Sequence, residues 1–153
     1  VKTIAGFLRA PITIRLARVA VGLVMLAAGL GKIGAAEPFA RQIHNYGVVP
    51  AGLENLIAMT LPWIEVVVGL ALVTAQHGRS AAWLAVGALV VFDLAVLQAL
   101  GRGLNIECGC FGTATGMRVD LAKLAENAAI TGAALVAALR IAPVIPRPPS
   151  HPG

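Results

Sequence analysis

Charge is what this chain of 153 residues has least of: Asp, Glu, Lys and Arg make up 12% of it, against about 25% in an ordinary soluble domain. With so few charged side chains the chain cannot cover a water-facing surface with polar groups. Cysteine is scarce too. Two cysteines exclude a disulfide-rich secreted scaffold. No Ser-His-Asp arrangement, HExxH pair or phosphate-binding loop occurs in the sequence, so the common signatures of hydrolase, metalloprotease and nucleotide chemistry are missing. The length leaves room for one domain. What is abundant is apolar: 58% of the residues are hydrophobic and the mean hydropathy is +0.85. That content excludes disorder for the bulk of the chain and predicts an integral membrane protein.

The formal net charge is +5 and the isoelectric point is about 10.0, a balance that in a soluble protein would suggest nucleic acid. Here Lys and Arg lie at the ends of apolar runs, where membrane proteins place them, and form no basic face interleaved with aromatics. The expected partner is the lipid bilayer, not nucleic acid.

Four apolar stretches, at about 14–33, 56–75, 81–100 and 121–139, each come near the ~20 residues needed to cross about 30 Å of hydrocarbon. They are apolar all round, as helices in lipid are. Arg15 and Arg18 lie in the first turns of the first stretch, from where long side chains reach headgroups. Ser80 is placed to cap the third helix and Asp120 the fourth. Pro62 bends the second, because it lacks a backbone donor and crowds the preceding turn. Small residues (Gly22, Ala28, Gly29 and Gly31 in the first helix; Ala125, Ala128, Ala129, Gly132, Ala133 and Ala134 in the fourth) allow close helix approach. The predicted fold is all-α: a four-helix transmembrane bundle over residues 1–142, with a disordered tail over 143–153 that contains five prolines.

Lys2, Arg9, Arg15, Arg18, Arg79, Arg140 and Arg147 fall on the N-terminal side of such a bundle. Lys32, Arg41, Arg102, Arg118 and Lys123 fall on the other. The excess places both termini in the cytoplasm and the 101–120 connection outside the cytoplasmic membrane. Basic residues, an apolar run and Gly34–Ala35–Ala36 also resemble a secretory signal with its cleavage site. Lys32 within that site and three further spans favour a retained first helix.

Both cysteines sit in Cys108–Gly109–Cys110–Phe111–Gly112, within the connection read as outward. In an oxidising compartment thiols pair, bind metal or exchange. Gly109 and Gly112 permit backbone angles other residues resist. A disulfide between i and i+2 departs from relaxed geometry and is easily reduced, which suits an electron relay. The same pair could instead staple the loop, though closing so short a ring removes little entropy. Two thiolates could also hold a soft ion such as Cu(I), but zinc needs two more ligands and only His44 lies on that side. No metal is expected.

Glu65, Asp93 and Glu126 lie within apolar stretches. Asp93 and Glu126 are each ~10 Å from the outer ends of their helices at 1.5 Å per residue, and Glu65 is near mid-span. Lys123, Glu126 and Asn127 share a helix face by spacing. Such groups face the bundle interior, either as interhelical contacts or as a proton or quinone site. Gly29–Leu30–Gly31–Lys32–Ile33–Gly34 matches G-x-G-x-x-G, but it follows an apolar helix instead of a strand, so a nucleotide site fails its context test. Tyr46, Trp63, Trp83 and Phe111 read as membrane-interface anchors.

Together with four spans, these pieces carry a resemblance: Gly29–Leu30–Gly31–Lys32; Phe39, Ile43–His44–Asn45–Tyr46 and Val49–Pro50; Leu61–Pro62–Trp63–Ile64–Glu65 with Gly69–Leu70; and Cys108–Gly109–Cys110–Phe111–Gly112. The chain resembles the MauE/DoxX family of redox-associated membrane proteins from about residue 14 to 139, the cysteine motif favouring the MauE branch. The resemblance implies a role in maturing an exported, disulfide-containing enzyme, methylamine dehydrogenase being the family case. Cys108 and Cys110 would exchange with a periplasmic thioredoxin-like protein or with the client subunit, with quinone as a possible acceptor and no covalent cofactor. Membrane thiol oxidants of that layout generally carry a second cysteine pair, and these 153 residues contain one. The contrasting expectation is a non-catalytic protein: a transporter using Glu65 and Asp93, or a scaffold subunit of an oxidoreductase complex.

Overall fold

The computed structural model describes residues 11–75, 78–104, 106 and 120–140. They form five helices: α1 (Pro11–Lys32), α2 (Ala36–Tyr46), α3 (Leu53–Thr74), α4 (Gly78–Gly101) and α5 (Leu121–Arg140). No strand occurs among the described residues. α1, α3, α4 and α5 are long and apolar enough to cross a membrane. The protein is an all-helical, multi-pass membrane protein. Outward-facing Leu16, Leu23, Leu30, Val67, Leu84, Val91 and Leu97 are exposed, which is what a helix wall needs when its solvent is hydrocarbon.

Helix ends follow local chemistry, with two departures from expectation. α1 begins three residues early, at Pro11, whose fixed φ and missing N–H suit a first helical position. α4 begins at Gly78, so Ser80 lies inside the first turn and is not the cap; an N-cap must sit outside the helical backbone. Asp120 does cap α5: its Oδ1 accepts the Lys123 N–H at 2.7 Å. α3 runs on through Pro62.

Antiparallel α1 and α3 meet where glycine removes the side chain. A Cβ on Gly22 would lie 3.0 Å from the Gly69 carbonyl oxygen, and one on Gly29 would lie 2.6 Å from that of Pro62. Gly69 is as tight, 2.8 Å from the Gly22 carbonyl. Two small residues seven apart on α1 thus set two backbones in contact, the usual device of helix association in lipid. α4 and α5 pack through Ala81, Ala82 and Ala85 against Ala134, Ala137 and Ala138, joined in one core by Val21, Met25, Val68 and Leu72. The small residues Ala125, Ala128, Ala129 and Gly132 of α5 are exposed instead. Being exposed, they mediate no close approach among the described residues.

α2 was absent from the sequence expectation, which placed no helix between the stretches at 14–33 and 56–75. It is 11 residues long, too short to span, and two-faced: Phe39, Ala40, Gln42 and Tyr46 are buried, whereas Glu37, Arg41, His44 and Asn45 are exposed. It lies across one end of the bundle. Phe39 and Ala40 pack on Ala58 and Leu61 of α3, and Tyr46 packs on Val96 and Ala99 of α4. The helix stops at Gly47, φ 62°, whose N–H bonds the His44 carbonyl at 2.9 Å, a left-handed C-terminal cap that glycine adopts without strain. A Cβ there would also come within 3.1 Å of Arg102 Nη1.

Tyr46 is therefore not an interface anchor. It is 5% exposed because α2 turns it inward against Phe92, edge to face, with ring centroids 6.5 Å apart. Trp63 and Trp83 do face outward, Trp83 near the start of α4 and Trp63 in the middle of α3. Phe111, the rest of the 108–112 motif and the 143–153 tail lie outside the described residues.

Candidate functional site

Helix geometry brings Lys32 and Glu65 together. Side chains lean toward their helix N-terminus. On antiparallel α1 and α3, Lys32 thus leans down from the end of one helix while Glu65 leans up from the middle of the other. The Gly29–Pro62 approach closes the gap, a Cβ on Gly29 falling 3.1 Å from Glu65 Cβ. Lys32 Nζ donates to both carboxylate oxygens at 2.8 Å, and the two side chains are 2% and 12% exposed. Phe39 of α2 covers the pair, its ring centroid 5.3 Å from Nζ, within cation–π range. The bidentate geometry offsets part of the desolvation cost that a buried ion pair carries.

This pair borders a cavity of about 380 Å³. Its walls come from all five helices: Met25 and Ala28 of α1, Phe39 and Tyr46 of α2, Leu61 of α3, Gly87 and Phe92 of α4, Asn127 and Ile130 of α5. Polar side chains are few there, namely Lys32, Gln42, Glu65 and Asn127, with the Tyr46 phenol. Burial pushes that phenol up to about 12, because a phenolate would lose its hydration. Asn127 is 4% exposed, and its Nδ2 has no hydrogen-bond partner among the described residues.

The three intramembrane acids do not converge. Glu65 lines the cavity. Asp93 of α4 sits at the α5 interface, where Thr131 Oγ1 donates to its Oδ2 at 2.7 Å. Its Oδ1 is buried with no partner among the described residues. Glu126 turns outward, its side chain 52% exposed, and accepts from Lys123 Nζ at 2.8 Å. On that face of α5 it is Lys123 and Asn127 that are buried. His44, the one imidazole considered for metal, faces Glu54 Oε1 through Nδ1 at 2.9 Å. No group of three or more His, Cys, Asp or Glu among the described residues could hold a metal ion. Cys108, Gly109, Cys110, Phe111 and Gly112 are outside the described residues, so their position relative to the cavity is not part of this site.

Sequence reasoning missed Lys32, Phe39, Gln42 and Tyr46 as site residues. One signal was available: an acid in an apolar helix requires a cation or a polar partner, and Glu65 had none within its own helix.

The sequence profile described as Methylamine utilisation protein MauE matches residues 10–140, and so covers all five helices. The chain belongs to the MauE family. It is similar to Methylamine utilization protein MauE of Paracoccus denitrificans, 30% identical over 93% of this chain and 77% of that protein. The MauE of Methylophilus methylotrophus is 31% identical over 77% of this chain and 63% of its own length. That of Paracoccus versutus is 32% identical over 72% and 60%. The chain thus spans less than two thirds of the latter two relatives. No solved structure matches it. These MauE relatives carry the family half of the expected resemblance; the name DoxX is not among them.

Proposed function

We propose that this MauE-family chain performs thiol–disulfide exchange at Cys108 and Cys110 on the outer face of the cytoplasmic membrane, supporting the maturation of an exported disulfide-containing enzyme. The observation that carries the reading is that both cysteines of the chain fall in one Cys–Gly–Cys triplet on the connection between two membrane helices. The basic-residue count, which puts the termini in the cytoplasm, supports the outward side. The names of the relatives make methylamine utilisation the process this chain would serve, with an enzyme subunit of that process as client.

In the exchange a client thiolate attacks one sulfur of the Cys108–Cys110 disulfide, giving a mixed disulfide. The second client thiolate then displaces the chain's cysteine. The client gains its disulfide, and Cys108 and Cys110 leave as a dithiol carrying two electrons and two protons. A thioredoxin-like protein or a quinone reoxidises the dithiol. The short ring favours turnover, since a strained disulfide is more readily reduced.

The test is acid quenching of intact cells followed by labelling with an impermeant thiol reagent, before and after a brief reductant pulse. A pair that labels from outside after the pulse and re-forms its disulfide within minutes is the expected result. A Cys108→Ser, Cys110→Ser protein should insert normally and leave the client's thiols free. Normal client disulfides in that double mutant would overturn the reading.

A further inference from the structure

The cavity described above has the chemistry of a binding site, and its lining defines what it would take. About 380 Å³ is within the size range of small-molecule pockets. Its polar groups are sparse and of a restricted kind. Lys32 and Glu65 neutralise each other through two 2.8 Å hydrogen bonds, so the site offers no net charge to an ion. The Asn127 amide nitrogen, 4% exposed as a residue and without a hydrogen-bond partner among the described residues, is a donor that an acceptor would satisfy. A buried donor left unpaired is costly, so an occupant bringing a carbonyl oxygen would be held there.

Two further features narrow the shape. Phe39, Tyr46 and Phe92 line the cavity, and aromatic walls favour a flat ring through offset or edge contacts. Gly87, in the middle of α4, also lines it, and a Cβ built there would meet nothing within 4 Å. Glycine at this position is not demanded by helix packing, and it keeps the wall open.

We propose that the cavity binds a neutral, lipid-soluble molecule whose flat ring bears carbonyl acceptors, the chemistry of a membrane quinone, with the carbonyl on Asn127 Nδ2. The binding assignment stands on the cavity alone; what the ligand does there rests on the thiol reading. A quinone that takes two electrons and two protons from the Cys108–Cys110 dithiol leaves as quinol while the disulfide re-forms. A carbonyl on an apolar body could also come from the ester of a phospholipid, and the experiment separates the two sources.

The probe is decylubiquinone, titrated into the purified full chain in quinone-free phosphatidylcholine nanodiscs, with binding read by calorimetry. Saturable binding of one equivalent is expected. Gly87→Phe places a ring at the cavity wall, where a Cβ meets nothing within 4 Å, and Asn127→Leu removes the donor; each should weaken binding about tenfold or more. Gly132→Phe is the control, because Gly132 also has open space around its Cβ but lies outside the lining; it should bind like the wild type. Helical circular dichroism and melting confirm that each variant is folded. Absence of saturable binding, equal binding by Gly87→Phe, or phospholipid retained in native mass spectra and not displaced by the quinone would overturn the proposal. The Cys108→Ser, Cys110→Ser protein separates the two readings. Quinone binding by the wild type together with normal client disulfides in the double variant leaves the cavity assignment standing and removes the exchange. Thiol function without quinone binding does the reverse.

Discussion

Lys32 shows how little a residue's place in the sequence says about its surroundings. At the end of an apolar run it reads as a headgroup-facing lysine, yet it is 2% exposed and ion-paired. Removing one member of such a pair strands a charge. Lys32→Met or Glu65→Leu alone should therefore destabilise the bundle by about 3–5 kcal/mol, whereas the double variant should recover most of the loss. Unfolding in detergent measures all three, and additive losses would argue against the pair. Tyr46 supplies a second residue-scale prediction. It is the single tyrosine, so phenolate absorbance reports it directly. Its phenol is raised to about 12, above the usual value near 10. The neutral form is favoured in the fold, so this contribution is fully present below pH ~10 and is lost as pH rises through about 12. The titration midpoint should lie near the upper value in the folded protein and near the lower one after denaturation.

At the scale of elements, the four long helices were legible because each one's requirement is local. Some 20 apolar residues must satisfy their own backbone in lipid. Asp120 was legible for the same reason, since a cap needs only the turn it closes. α2 was not. Eleven residues with a polar face are ambiguous until something covers Phe39 and Tyr46. Contact between α1 and α3 yields a sharp contrast. Gly69→Val must push into the Gly22 carbonyl 2.8 Å away and should cost about 1–3 kcal/mol as overpacking. Gly132→Ala, with open space around it, should be neutral or stabilising by up to ~1 kcal/mol. Paired thermal melts decide the matter, and equal effects would mean that Gly69 is not at a tight contact.

For the whole molecule, orientation in the membrane is the expectation that most needs a measurement. In a Cys108→Ser, Cys110→Ser background, Arg41→Cys on the exposed face of α2 should react with an impermeant reagent in intact cells. Arg79→Cys at the opposite end of the bundle should react only after permeabilisation. The reverse pattern would put the cysteine triplet on the reducing side and remove the exchange reaction with it. Of the candidate site, Glu65 was readable, because an acid in hydrocarbon is conspicuous by its cost. Asp93 and Glu126 were equally conspicuous, but nothing in their spacing said that one would join α4 to α5 and the other would turn outward.

The sequence by itself determined the solvent, the number of spans, the all-helical class and the family, since each follows from composition, run length or a residue pattern along the chain. Tertiary structure alone decided that Lys32 and Glu65, 33 positions apart, meet as hydrogen-bond donor and acceptor. It also decided that α2 lies over them and that a cavity opens beside them. The reason is geometric: which faces meet depends on how closely two helices can approach. Here that is set by the glycines that bring α1 and α3 into backbone contact.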